Sequence, residues 1–473
     1  MKSLSLISSR YRALCSALSL SSLILLPTIA LAQSPATTAE SSPSAGSAPL
    51  SIEQCVSLAC ENNQRVVAAD HQINAAILQQ RSAKALFFPS FSIDGNAIYS
   101  TGSLGVSTQP QLLPVIGADG NPTGQGAYFP NLDLKVDFDW IYGAAVKLEQ
   151  PIFMGGKIKT GYEMTKLGVD MARQSKRLSQ SEIIVETSKA YADVVRASEY
   201  IKVAQSYHNL LGELLRNVES AAKHGLKSKN DVLKVKVKLN ESELALRRAQ
   251  NAHRLATMNL CHYIGRPLTD DIAIDGSLPQ PQLISADDAS ITQRPEYILL
   301  EQKSELARKK INMARSELLP KVGLMAQYGY MNGVTLNGFK VCHNWNFLLG
   351  VNVSIPIYNF GKDYYKLKAA KEEFAMTLAQ TEDTNEKLML DMSRSFNNLD
   401  EAQLERDLAD SSVASAEENL RASSQQYKNG MESLSDHLEA QTLWQQALQT
   451  QVDARVNYYL RWLDYLKASG KIN

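Results

Sequence analysis

Alternating apolar and polar residues in four stretches of the chain predict β-strands. In the clearest stretch, every second residue from Val136 to Leu148 is apolar, and several of the residues between them are charged. The same pattern predicts strands at about 90–100, 136–149, 321–331 and 346–355. Each run has about ten residues, the length that a tilted strand needs to cross a bilayer. A soluble two-layer sheet would alternate in the same way, so the pattern alone leaves both structures open.

Two long segments without proline follow the strands and predict unusually long helices. Residues 156–223 and 361–429 contain no proline, and apolar or small residues recur in steps of four and three through both segments. Each helix would be roughly 100 Å long at about 1.5 Å per residue, which exceeds the width of a globular core. The stepping indicates coiled-coil packing. His208 and Arg406 interrupt it, and we interpret both as packing or pore-facing residues.

The chain contains an internal repeat that keeps one register over most of each half. The segment QPIFMGGK, which begins at Gln150, corresponds to IPIYNFGK, which begins at Ile355. Further upstream, Pro89 corresponds to Pro320 in a shifted register, because the first half carries extra residues between its strands. We therefore predict two repeats, 50–280 and 281–473. Their long helices are predicted at 156–223 and 228–264 in the first repeat, and at 294–319, 361–429 and 433–468 in the second.

Composition and charge exclude several classes of protein. Lys and Arg together number 49, as do Asp and Glu, so no strongly basic surface suggests nucleic acid as a partner. The seven histidines are scattered, without a spacing typical of a metal or catalytic site. We therefore expect no metal, no cofactor and no enzymatic activity. Cys55 and Cys60 would lie about 140° apart on a helix, which is unfavourable for a disulfide, and we expect free thiols.

Residues 1–32 have the features of a secretory signal peptide. Lys2, Arg10 and Arg12 precede an apolar run at 13–26, and the small residues Ala30 and Ala32 form a cleavage pattern. An uncleaved anchor is the alternative. Residues 33–49 resemble a flexible linker. Cleavage would remove these three basic side chains and no acidic ones, which leaves the chain slightly acidic. No other segment is apolar enough for a transmembrane helix, so any membrane-spanning part would consist of strands.

Strands in a membrane require several copies of this chain. Four strands cannot close a barrel, and an open edge in lipid would leave backbone groups without hydrogen bonds. Two copies would give eight strands, whose interior is filled by side chains, whereas three copies would give twelve strands around a channel. Composition does not choose between these numbers.

These features together resemble the outer membrane efflux protein family, the TolC family. The resemblance covers nearly all of the chain after the signal peptide. It rests on the tandem halves, on the junctions Pro151–Gly156 and Pro356–Gly361, and on the turn motifs HGLKSKNDVLK and YKNGMESLSDHLEAQ. It implies a mainly α protein with membrane β: a tandem-duplicated protomer of a homotrimer. A 12-stranded outer-membrane barrel would continue into a long α-helical barrel in the periplasm, and each junction would join a strand to a helix.

The resemblance also assigns roles to residues of the two turn motifs. Gly225 and Gly430 would form the periplasmic tip turns and the docking site for an adaptor protein, while nearby Ser and Asp residues could cap the returning helices. Asp436 and Glu439 match the acidic ring at the channel entrance.

Two further residues match positions of the family's gate latch. These are Asp231 and Tyr427. Glu432 stands where such relatives have an arginine, so the ion pair that the arginine would form is absent and the closing contacts need another basis.

The function implied is an outer-membrane channel of a tripartite efflux or type I secretion system. Its partners would be a periplasmic adaptor protein, an inner-membrane pump or ABC exporter, and outer-membrane lipid. The loop at 101–131 would face the exterior. A non-transport trimeric coiled-coil protein of the cell envelope is the alternative, but it would not need repeated membrane-length strands. The sequence does not identify the exported cargo.

Overall fold

The computed structural model describes residues 49–281 and 290–472. The expected signal peptide at 1–32 lies outside the described residues, and so does the expected linker apart from its last residue. Among the described residues, no helix combines the length and the apolar character needed to span a membrane.

Helices make up most of the described chain. They are α1 (Ile52–Asn62), α2 (Gln64–Ala85), α3 (Lys157–Lys223), α4 (Lys229–Ile264), α5 (Pro295–Ser316), α6 (Lys362–Lys428) and α7 (Leu434–Ala468), with a short 3-10 helix at Ile291–Gln293. Helices α3 and α6 have 67 residues each. At about 1.5 Å per residue each is roughly 100 Å long. Helix α3 packs against α4, and α6 packs against α7, so the long helices form two hairpins.

The helix boundaries follow the sequence repeat. Helices α3 and α6 begin and end at corresponding positions in the register that places Gln150 opposite Ile355, and α4 and α7 begin at corresponding positions in the same register. Helices α2 and α5 correspond at both ends in the shifted register of Pro89 and Pro320. The structure thus repeats in the two registers of the sequence itself, because the same glycine and serine signals end and begin the long helices in both halves.

The strands form one antiparallel sheet and a separate hairpin. They are β1 (Ser90–Tyr99), β2 (Ser103–Ser107), β3 (Gln111–Ile116), β4 (Pro122–Phe129), β5 (Asp133–Met154), β6 (Lys321–Leu336), β7 (Phe339–Cys342) and β8 (Trp345–Ser354). The four long strands lie in the order β1-β5-β6-β8, while β3 and β4 pair only with each other. Within the described chain, β1 pairs along β5 and β8 along β6, which leaves the outer edge of each without a partner.

Two strands are longer than the sequence indicated. Strand β5 extends over 133–154 rather than 136–149, and β6 extends over 321–336 rather than 321–331. The extensions toward 133 and 336 pair with the short strands β2 and β7, which sequence alternation did not reveal. At its other end, β5 continues past Pro151, which lies next to a register shift. Proline is tolerated at such a bulge because no regular ladder bond needs its missing N–H group.

Cross-strand pairing collects the apolar residues on one face of the sheet. Ile93 lies opposite Val146, Val146 lies opposite Tyr328, and Tyr328 lies opposite Phe347. These four side chains are between 47% and 78% exposed. The sheet therefore presents a wide apolar face that this chain does not cover itself, which is typical of a lipid-facing surface.

The opposite face is polar, and aromatic residues mark one end of the apolar face. On the polar face, Lys147 Nζ lies 3.4 Å from an Asp94 carboxylate oxygen. On the apolar face, the rings of Tyr99 and Trp140 are 5.2 Å apart, where the last residue of β1 lies opposite β5. Aromatic residues at the end of an apolar band are typical of the membrane–water interface.

The main core lies where the short helix α1 packs on the α3–α4 hairpin and α7 packs on α3. Its fully buried members include Tyr191, Ile183 and Leu260. Cys55 and Cys261 are buried there as free thiols, Cys60 is a half-buried free thiol, and burial raises the pKa of Cys55 to about 11. Such thiols are packing groups rather than nucleophiles.

His208 and Arg406, which interrupt the steps of four and three in the long helices, have packing partners within the chain. His208 Nδ1 lies 2.9 Å from Ser242 Oγ. The Arg406 guanidinium pairs with Asp407 and lies 4.6 Å above the Tyr458 ring.

Both strand-to-helix junctions use two successive residues with positive φ. At the first, Gly155 and Gly156 have φ of 62° and 84°, and α3 begins at the next residue. At the second, Phe360 and Gly361 have φ of 49° and 80° before α6. The junctions differ in one respect, because β8 ends at Ser354, so that Pro356 lies in an irregular segment rather than inside a strand.

An ion-pair cluster fixes the first junction to the end of α5. Glu317 Oε1 accepts a hydrogen bond from Lys157 Nζ at 2.7 Å, and its Oε2 accepts one from Lys321 Nζ at 2.6 Å. These bonds lower the pKa of Glu317 to about 2. One carboxylate therefore connects the ends of α5, α3 and β6.

We predict that Gly155→Ala destabilises the protein more than Gly156→Ala. A Cβ atom on Gly155 would lie 2.5 Å from the Ser316 carbonyl oxygen, whereas a Cβ on Gly156 meets open space. Both variants suffer the left-handed backbone cost of about 1–2 kcal/mol, but only the first adds a backbone clash. Thermal unfolding in detergent, followed by helical circular dichroism, measures the difference. Equal midpoints for the two variants would contradict this explanation.

Candidate functional site

The two hairpin tips have the same backbone turn. After α3, the Gly225 N–H donates to the Ala222 carbonyl oxygen at 3.0 Å, and the Leu226 N–H donates to the Ala221 carbonyl oxygen at 2.9 Å. After α6, the amides of Gly430 and Met431 make the equivalent bonds to the carbonyl groups three and five residues before them, at 3.1 and 2.9 Å. This is the Schellman ending of a helix, and it needs the positive φ of 74° at Gly225 and 72° at Gly430.

Serine and aspartate residues cap both returning helices. Ser228 Oγ accepts from the Asp231 amide, and the Asp231 carboxylate accepts from the Ser228 amide, which together form a capping box. The hydrogen bonds from the Ser228 hydroxyl and amide lower the pKa of Asp231. At the second tip, Ser433 Oγ accepts from the Asp436 amide at 3.3 Å and donates to the Asp436 carboxylate at 2.8 Å.

Asp436 and Glu439 lie one helical turn apart on the exposed side of α7. Glu439 also lines a groove of about 580 Å³ between α4 and α7, together with Lys234 and Lys238. Glu439, one of the two acidic residues assigned to the entrance, therefore has two lysines beside it on the neighbouring hairpin, of which Lys238 forms an ion pair with Glu241. These lysines weaken the negative potential that the carboxylates create.

The two residues assigned to the latch have different surroundings. The Asp231 carboxylate accepts hydrogen bonds from Ser228 in the cap of its own helix, as described above. The Tyr427 ring lies under Lys227 Nζ, 4.6 Å from the ring centroid, and stacks on the His437 ring at 4.9 Å and 4°. Desolvation raises the pKa of Tyr427, and the Asp231 charge adds to this effect. A latch between Asp231 and Tyr427 stays a prediction, and in this structure Lys227 is the residue of the first tip that lies over the Tyr427 ring.

An apolar cluster joins the two hairpins just behind the tips. Its buried members come from three of the four long helices, and Tyr427 of α6 packs against them: Tyr207, Leu211, Leu214 and Val218 of α3, Val235 of α4, and Leu434 and Leu438 of α7. Few polar contacts accompany it; Lys234 Nζ lies 3.5 Å from Ser435 Oγ. We conclude that apolar packing supplies most of the attraction between the tips.

Sequence reasoning missed Lys227, His437 and Gln441 as members of this site. Lys227 reaches Tyr427 from the other hairpin, which no sequence pattern shows. His437 lies on the buried side of α7, and its partners come from α6 and from one turn further along α7. The only signal in the sequence was a histidine at an apolar position of the helical pattern, next to the acidic pair.

A family comparison identifies this architecture. The model of the family "Outer membrane efflux protein" matches residues 55–266 and 291–471, which is most of the chain. The chain belongs to this family. The two matched segments correspond to the two halves of the internal repeat.

Individual proteins support the same assignment. The chain is 20% identical over 341 residues to the alkaline protease secretion protein AprF of Pseudomonas aeruginosa, covering 70% of each chain. It is 23% identical over 371 residues to the outer membrane protein TolC of Escherichia coli, covering 73% of this chain and 75% of TolC. Among solved structures it resembles the CmeC outer membrane channel of Campylobacter jejuni, with a TM-score of 0.71 and 19% identity, over 89% of this chain and 86% of CmeC.

These findings confirm the fold class and the location expected from the sequence. The chain has the tandem, mainly α fold of the TolC-like proteins, with a membrane β-sheet. It is an outer-membrane protein, and its helical part extends into the periplasm.

We predict that Leu438→Ala loosens the tips. Leu438 is buried in the cluster between the hairpins, so its truncation should cost about 2–5 kcal/mol of local stability. Hydrogen exchange of the full-length protein in detergent should show faster exchange at the start of α7 and in the neighbouring part of α4. Leu443→Ala is the matched control, because Leu443 lies on the same helix and is 47% exposed. Equal exchange in both variants would show that the cluster does not hold the tips together.

Proposed function

We propose that the protein is the outer-membrane channel of a tripartite efflux or type I secretion system. In this function a homotrimer forms a passive, water-filled duct from a periplasmic adaptor protein and an inner-membrane pump or ABC exporter to the exterior. The observation that carries the proposal is the sheet: four long strands with an exposed apolar face, a polar face and two edges that have no partner strand among residues 49–281 and 290–472.

The open edges support a trimer. In lipid, the free backbone groups of β1 and β8 would cost several kcal/mol each unless another strand pairs with them. Because β1 and β8 run in opposite directions, β8 of one copy can pair antiparallel with β1 of the next. Three copies of the four long strands give a closed barrel of twelve, wide enough for a channel.

Helix α6 also has apolar residues that this chain leaves uncovered. Leu390, Leu404 and Leu408 are 63%, 60% and 59% exposed along the length of the helix. A row of exposed leucines on a helix of this length favours contact with a neighbouring copy. The same three copies would thus continue from the barrel into a helical wall.

The tips fit a docking role for Gly225 and Gly430. Each glycine presents an apolar residue directly after it, Leu226 at 77% and Met431 at 72% exposure. Large exposed apolar residues at a turn are unusual for a free surface and favour a protein partner. In the proposed assembly that partner is the periplasmic adaptor protein.

A coiled-coil envelope protein without transport is the second candidate. It would share the long helices and the exposed leucines. It does not account for a membrane-length sheet whose faces differ so clearly in polarity. Family membership also favours the channel.

We predict that the purified protein conducts ions in planar bilayers and that Asp436 and Glu439 set its ion preference. The double variant Asp436→Asn with Glu439→Gln should lower the ratio of cation to anion permeability, because six carboxylates would leave the mouth of the trimer. Lys234→Gln should raise the ratio, since Lys234 lies beside Glu439.

The control for this experiment is Glu61→Gln on α1, which belongs to neither tip. It should leave the ratio unchanged. Absence of current from the unmodified protein would exclude the channel function. Current with an unchanged ratio in the double variant would exclude only the entrance ring.

A further inference from the structure

A buried histidine lies at the centre of the second tip. His437 is 5% exposed, Ser423 is 4% exposed and Gln441 is 1% exposed. The imidazole Nδ1 lies 2.9 Å from Ser423 Oγ on α6, and Nε2 lies 3.0 Å from Gln441 Nε2 on α7. The ring also stacks on Tyr427, which is the residue that contacts the first tip through Lys227. His437 therefore connects the α6–α7 hairpin with the contact between the tips.

With the Gln441 amide in its present orientation, the hydrogen bonds fit a neutral imidazole. Because the Gln441 amide nitrogen can only donate, Nε2 accepts, and Nδ1–H donates to Ser423 Oγ. This arrangement leaves Gln441 Oε1 buried without a hydrogen bond among the described residues, and the same is true of Glu432 Oε2. A protonated imidazole would need an acceptor at Nε2, which a rotation of the Gln441 amide would provide. The network can thus hold either state, but it favours the neutral one as built.

Charged groups of the second hairpin change the pKa of the His437 ring, and charged groups of the first hairpin act on the Tyr427 ring stacked on it. Burial lowers the pKa of His437, the Glu432 carboxylate of the turn opposes this effect, and the Lys428 ammonium on α6 adds to it. From the first hairpin, Lys227 lies over the stacked Tyr427 ring, and the charge of Asp231 acts on Tyr427.

The remaining surroundings of His437 are apolar or exposed. Helices α3 and α4 contribute apolar side chains to the cluster that holds the neighbouring Leu434 and Leu438. Asp436 and Glu439 flank His437 in sequence and are exposed.

The direction of a pH effect follows from these groups. A base whose pKa is lowered in the packed state binds its proton more readily when it is exposed. The packed tip is therefore most stable above the ordinary histidine pKa of about 6.5, and it loses stability as the pH falls below that value. Protonation would also bring a second cation against the Tyr427 ring that already holds Lys227.

We infer that His437 is a proton-sensitive release for the periplasmic tips: its protonation weakens the packing of α7 and Tyr427 that holds the two hairpins together. The inference rests on the proposed channel function, because it concerns the opening of the same entrance. The contacts of His437 would help to close a tip in which Glu432 stands where the family resemblance leads us to expect an arginine.

The test is single-channel current of the full-length protein in planar bilayers at about pH 7.5 and about pH 5.5, which bracket the ordinary histidine pKa. In the unmodified protein, acidification should raise the mean current about two-fold or more. His437→Gln should remove this response, so that its current is the same at both pH values whatever its size, because the titrating imidazole is gone. His208→Gln is the matched control, because His208 makes the same kind of bond to a serine but lies on α3, farther from the tip turns than His437; it should keep the response.

Two further variants separate protonation from damage to the fold. Glu432→Gln removes the charge that favours the imidazolium, so the midpoint of the response should move to lower pH. Lys428→Gln removes an opposing charge, so the midpoint should move to higher pH. A general loosening of the tip would not move the midpoint in opposite directions.

The outcomes distinguish the two proposals. A response that persists in His437→Gln, or an unmodified protein whose current is the same at both pH values, overturns the role of His437 and leaves the channel standing. Absence of current from every variant at both pH values overturns the channel function and this inference together.

Discussion

The hydrogen-bonding demand of a sheet edge is the constraint on which the rest of the structure depends. The described part of the chain forms a sheet with four long strands, β1-β5-β6-β8, in which neither outer edge has a partner. In water such edges would be tolerable, but one face of this sheet is apolar and exposed, so its natural surroundings are lipid. There the backbone groups of β1 and β8 must find partners on other copies. An assembly follows from backbone chemistry rather than from any particular side-chain contact.

Side-chain contacts and turns, rather than sheet edges, hold the long helices at their two ends. Two 67-residue helices follow the sheet through pairs of residues with positive φ, one directly after β5 and the other after a short irregular segment that follows β8. At the first junction, the carboxylate of Glu317 connects the strand and helix ends. At the far end the hairpins are held by a small apolar cluster and by one lysine–tyrosine contact. A tip held in this way can separate without unfolding the helices, because the cluster is small and the Schellman turns are self-contained. When the pH falls, protonation of the buried His437 imidazole weakens the attraction between the tips further.

Much of the fold could be predicted from the sequence, because the residues that mark helix boundaries occur at corresponding positions in both halves of the repeat. The glycines before residues 157 and 362 and the serines before 229 and 434 mark helix boundaries in both halves. The missed part was non-local: β5 and β6 are longer because β2 and β7 pair with them. Leu134 continues the alternation of β5, but alternation alone does not show which residues find a strand partner. The surroundings of Tyr427 were equally inaccessible, since Lys227 reaches it from the other hairpin. Asp231 matched a latch position, yet its local capping bond occupies its carboxylate in the structure.

Cysteine cross-linking between the two open edges tests the central claim most directly. In a background without native cysteines, Ser92→Cys on β1 would be combined in turn with Asn346→Cys, Asn352→Cys and Ser354→Cys on β8. Within one chain β1 and β8 are separated by two strands, about 14 Å at ~4.8 Å per strand spacing, too far for a disulfide. The account predicts that oxidation in outer membranes converts at least one pair into covalent trimers. If every pair yields only single chains, the edges do not meet and the barrel is not built in this way.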